Sequence, residues 1–91
     1  MPTYDYLKTE STEQRVPKDA DLSVAENMKL MQIGDRLDLY SPITEDWTYA
    51  SVIKAGDDWI ETIFNDGLVV VFSSDEMPIW KREGFDIRSS I

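Results

Sequence analysis

From position 34 to position 82, apolar and polar residues mostly alternate with a period of two, which is the pattern of strands that bury one face. In a first strand, Leu37 and Leu39 point one way, with Arg36, Asp38 and Tyr40 the other. A polar loop over 41–46, containing Pro42, leads to a second strand over 47–54, where Ala50 and Val52 oppose Tyr49, Ser51 and Ile53. Ala55, Gly56, Asp57 and Asp58 make a turn. A third strand over 59–64 alternates Ile60, Thr62 and Phe64 with Trp59, Glu61 and Ile63. Asn65-Asp66-Gly67 is a hairpin signal, because these residue types tolerate positive φ. The fourth strand, 68–72, is apolar on both faces, which predicts a central position in the sheet. Residues 73–76 suit one helical turn, and a short last strand is expected over 79–82 with Pro78 at its start.

Upstream of Gly34 the period changes. Ser23 and Glu26 have the spacing of a capping box, and Asp19 and Asp21 lie near what would be the positive end of the helix dipole. A helix over 24–31 would align Val24, Ala25, Met28 and Met31. Met28, Leu30 and Gln32 also alternate, so a strand from Met28 is the competing reading. Residues 1–20 are polar, mixed in charge and broken by Pro2 and Pro17, and read as a flexible arm that orders only against a partner or the folded body. The expected organisation is an arm over 1–20, a helix or extended lead-in over 21–33, and a small β domain over 34–91.

Charge sharpens this division. The 91 residues carry a net charge of −9. Between positions 35 and 76 there are ten acids and only Arg36 and Lys54, so about −8 of that charge sits in the β domain. Such a field attracts basic surfaces and repels nucleic acid. The chain has no Cys and no His. That excludes disulfides, thiol nucleophiles and imidazole bases, and an enzyme is not expected. No metal-binding spacing is present either, and no cofactor is expected. No apolar run approaches the length of a membrane span, and the first ten residues lack the pattern of a secretory leader, so the cytoplasm is the expected compartment.

Five short strands with a helical turn before the last describe a mainly β fold, a five-stranded SH3-like barrel. The residues 34–40 (Gly-Asp-Arg-Leu-Asp-Leu-Tyr), 47–53 (Trp-Thr-Tyr-Ala-Ser-Val-Ile) and 63–67 (Ile-Phe-Asn-Asp-Gly) resemble a Tudor domain over roughly half the chain. The resemblance implies a non-catalytic reader of methylated Lys or Arg that uses an aromatic cage with an acidic member. Tyr40, Phe64 and Asp66 match three cage positions, while Thr48 and Leu68 stand where further aromatics are expected. A cage of this kind holds a cation by ring quadrupoles.

Two binding readings follow. In the first, an acidic face engages a basic, nucleic-acid-binding protein, in the manner of a phage-type inhibitor that mimics nucleic-acid charge. Asp57, Asp58, Glu61, Glu45 and Asp46 would supply the charge, with Trp47, Tyr49 and Trp59 as aromatic anchors. In the second, Tyr40, Phe64 and Asp66 read a methylated or basic peptide. Against both stand plainer roles. Trp residues in a small barrel commonly fill the core, paired acids at turns are commonly solvated loops, and acidity itself keeps a protein soluble.

Overall fold

A computed structural model describes residues 15–90. Five antiparallel strands form one sheet: β1 Arg36–Ser41, β2 Asp46–Ala55, β3 Trp59–Phe64, β4 Val69–Ser73 and β5 Asp86–Ser89. Two short helices accompany them, α1 Ala25–Lys29 and α2 Met77–Arg82. The sheet order is β4-β3-β2-β1-β5, and no hydrogen-bond ladder joins β4 to β5. The sheet is therefore open along one seam.

The alternation read from the sequence sorts the two faces. Leu37, Ala50, Val52, Ile60 and Phe72 are buried on the inner face. Thr62 is fully buried among them, and its hydroxyl donates to the Val70 carbonyl at 2.8 Å, so no polar group is stranded there. Across strands, Leu37 pairs with Ala50 and Ala50 with Phe64, which fixes the inner register. The register of β2 shifts between Val52 and Lys54, and this bulge lets Lys54 lie opposite Glu61.

The expected barrel is not closed by hydrogen bonds, and three expectations about strands and caps change as well. First, β4 lies at an edge of the sheet, not in its centre. Apolar residues on both faces report only that nothing polar marks a face, and Val69 and Val71 are in fact 48% and 49% exposed. Second, residues 79–82 are helical, and the last strand comes later, at Asp86–Ser89. Pro78 fits the first turn of α2 as well as a strand start, because its missing N–H is needed in neither. Third, Ser23 forms no capping box on α1. The N-cap is Val24 without a side-chain bond, and Ser23 turns back to donate its N–H and hydroxyl to Asp21 Oδ1 at 3.0 and 2.7 Å.

The lead-in closes one end of the sheet. Val16, Leu22, Met28 and Met31 are buried in the core. Leu22 N–H donates to Ile87 O, and Ser89 N–H to Ala20 O, at 2.9 and 3.0 Å. The buried Ser89 hydroxyl accepts the Ala20 N–H at 2.9 Å and donates to Pro17 O. Residues 15–20, expected as part of the arm, thus pack along β5, and the earlier part of the arm lies outside the described residues.

Candidate functional site

The hairpin β1–β2 places Tyr40 opposite Trp47 on the outer face, with ring centroids 5.4 Å apart. Trp47 is 48% exposed, and Tyr49 lies on the same face with the Arg36 guanidinium carbon 4.6 Å from its ring centre. This stacking adds an aromatic contact to a cationic group that the sheet already fixes. Asp46 Oδ1 accepts the Trp47 backbone N–H at 2.8 Å, which sets that carboxylate beside the aromatic pair, and Glu45 precedes it in the turn with a φ of +56°. At the far end of β2, Trp59 lies over Gly56. A Cβ on Gly56 would meet the indole Nε1 at 2.1 Å, so only glycine admits the ring. Trp59 is half-buried there as a cover on the turn, next to Asp57 and Asp58.

The candidate acids divide into two groups. Ser74 N–H donates to Asp58 O at 2.8 Å, which brings the 74–76 loop with Asp75 and Glu76 beside Asp57 and Asp58. At the other end, Thr44, Asn65 and Asp66 line one groove, so the turn carrying Glu45 and Asp46 lies near Asp66. The ends of β2 are about 30 Å apart at the usual strand rise. Glu61 stands on the outer face opposite Lys54 and Val71.

Not every acid is available. Asp35 is buried, where its carboxylate accepts the Gln32 N–H at 2.9 Å and pairs with Arg15. Lys81 pairs with Asp21 at 2.8 Å, and Arg88 with Asp86 at 3.0 Å. Burial pushes the Asp21 carboxyl up, but hydrogen bonds from Lys81 and Ser23 and the Lys81 charge outweigh it and hold the group below its ordinary value. Among the described residues, these three ion pairs use Asp21, Asp35 and Asp86 and none of the turn acids or Glu61. Sequence reasoning did not separate structural acids from free ones, because the separation depends on Arg15, Lys81 and Arg88 arriving from distant positions.

The candidate cage does not converge. Phe64 is 7% exposed on the inner face and packs edge-on to Phe72, with centroids 6.5 Å apart. Tyr40 points from the outer face. Asp66 Oδ1 accepts the Leu68 N–H at 3.0 Å and shapes the turn, where Gly67 has a φ of +92°. Phe64, Asp66, Thr48 and Leu68 instead line a groove of about 340 Å³ at the open seam, with Leu39 and Trp80. Trp80 fills the seam, tilted against Phe72 with ring centroids 5.4 Å apart and edge-to-face with Phe85 at 4.7 Å.

Among the described residues, no group of three or more metal-ligating side chains comes together, and no helix is long and apolar enough to cross a membrane. Compared with family models, with curated proteins and with solved structures, the chain matches none.

Proposed function

We propose that the chain is a non-catalytic acidic module that binds a basic surface of a partner protein, one that itself handles nucleic acid. The observation that carries this reading is the split between acids. Asp35, Asp21 and Asp86 are neutralised by Arg15, Lys81 and Arg88, whereas Glu45, Asp46, Asp57, Asp58 and Glu61 carry no ion pair among the described residues. Exposed Trp47 and Tyr49 add the aromatic contact area typical of interface centres. Unpaired carboxylates at both ends of a 30 Å hairpin (the length is about nine strand steps) present charge over the reach of several phosphates. Binding of this kind would compete with nucleic acid for the partner, with no direct affinity for DNA, and the cytoplasm is its expected setting. The sheet order, with the last strand returning beside the first after a short helix, supports an SH3-like, Tudor-like reading of the fold. The methyl-lysine function of that family is the weaker reading, since Tyr40 and Phe64 face opposite ways.

The test compares the wild type with a triple variant, Asp57→Lys, Asp58→Lys and Glu61→Lys, each immobilised at low and at high salt. Retained proteins are identified by mass spectrometry and challenged with duplex DNA. Basic nucleic-acid-binding proteins should be held by the wild type, lost from the variant, weakened by salt and displaced by DNA. Equal retention on both chains at all salt concentrations would overturn the reading and leave the acids to solubility.

A further inference from the structure

The open seam of the sheet sets an unpaired strand edge above two hollows. In the β3–β4 ladder, Phe64 N–H donates to Leu68 O and Ser74 N–H to Asp58 O. These bonds fix the alternation of the antiparallel pair, so that Val70 and Phe72 bond to β3. The N–H and C=O groups of Val69 and Val71 therefore point away from β3, towards a side where β4 has no neighbouring strand among the described residues. Below this edge lie two hollows of about 340 and 300 Å³ that share Trp80 and Phe85. Their floor is apolar, with Leu39, Val70 and Phe72 in the first. Their rims are acidic, with Asp66 at one end and Glu76 and Glu83 at the other, and among the described residues no Lys or Arg lines either hollow.

We infer that this seam receives an extended segment of a partner protein, added to β4 as a sixth strand, in which apolar residues alternate with Lys or Arg. The inference rests on the preceding reading for the sign of the partner's charge. Main-chain bonds to Val69 and Val71 supply the pairing, and alternate side chains supply the selectivity. One set of side chains drops onto the Phe72–Trp80 floor. The other lies over Val71, where a lysine stem covers apolar surface while its ammonium reaches Glu61, the cross-strand partner of Val71. A second copy of this chain is the competing occupant. Two such edges would bring Asp66, Glu76 and Glu83 of both copies together at a net charge of −9 each, which opposes their pairing.

The probe is the peptide acetyl-Lys-Val-Lys-Leu-Lys-Val-Lys-amide, titrated into the full chain by calorimetry. Two twins accompany it, one with Glu in place of every Lys and one N-methylated at alternate residues. The N-methylated twin keeps the charge but loses strand donors. Both twins should bind at least about tenfold more weakly than the parent, and the parent should slow hydrogen exchange at the Val69 and Val71 amides. Val71→Pro removes an outward N–H without touching the β3 ladder and should abolish the difference between parent and N-methylated peptides. If that variant fails to fold, the pair Val69→Lys with Val71→Lys reads the same edge through its side chains. Equal binding of parent and N-methylated peptides overturns the inference while leaving the acidic-module reading intact. A concentration-dependent dimer that Val71→Pro dissolves also overturns it, because a second copy would then hold the edge.

Discussion

The two edges of the sheet are treated differently. Along β5 the chain supplies its own cover: Ala20 and Leu22 bond to Ser89 and Ile87, and Arg88 and Lys81 hold the acids of that side. Along β4 there is no cover among the described residues, the exposed side chains are valines, and the acids on the rim form no ion pair among those residues. Natural sheets protect edges with charge, proline, bulges or overlying segments. Among the described residues, one edge is sealed by a segment and the other carries negative charge on its rim and no overlying segment. The difference teaches that the lead-in belongs to the fold, and that the two edges of one sheet differ in what covers them.

The comparison breaks first at Leu22. Replacing this fully buried residue with Ala should cost about 2–5 kcal/mol in urea unfolding, because it leaves a cavity between the lead-in and the sheet. A loss near zero would mean that the sealed edge is not sealed by packing. Next comes the turn that delivers the open edge. Nothing lies within 4 Å of a Cβ placed on Gly67, so Gly67→Val meets only backbone strain at φ +92° and should cost about 1–3 kcal/mol.

Smaller effects sharpen the contrast. The Asp21 carboxyl is held below its ordinary value of 3.8 in the folded chain. The stability it contributes is fully present above that ordinary value and is lost as pH falls through the lowered one. Lys81→Met should therefore lower Tm near neutral pH, and its gap from the wild type should shrink in acid. Val71→Thr on the open edge should change stability by no more than about 0.5 kcal/mol, since its side chain is half exposed and supports no neighbour across the seam.

How much of this was legible in the sequence follows from where each signal resides. The strands β1 to β3 and the Asn65-Asp66-Gly67 turn are local: alternation and turn chemistry carry them, and their inner faces match the expected residues. The strand β5 has one buried apolar residue, Ile87, and exists because β1 offers it a ladder some fifty positions earlier. No local pattern announces such a strand. The segment Met77–Arg82 misleads for the opposite reason, since Ile79 and Trp80 satisfy both periods and Pro78 fits either start. The acids of the candidate site were visible as residues, but their sorting into paired and free was not, for Arg15 reaches Asp35 and Lys81 reaches Asp21 only through the tertiary fold. The cage positions fail on face rather than on identity: Tyr40 and Phe64 are aromatic as the resemblance requires, and the pleat sends them apart.

The pairing of β5 with β1 has a consequence for how the molecule is made. Leu37 lies opposite Ser89, and Ala20 and Leu22 in turn lean on β5. Ribosomal synthesis releases the lead-in and β1 first and Asp86–Ser89 last of these. Until those four residues emerge, the β5 side of the lead-in's seat is missing, and the β1–β4 meander waits with two unprotected edges. Contacts that close such long loops are slow to form, and unpaired edges invite misassembly meanwhile. The like charge of the acidic turns at both ends of that meander opposes edge-to-edge association of unfinished copies in that interval.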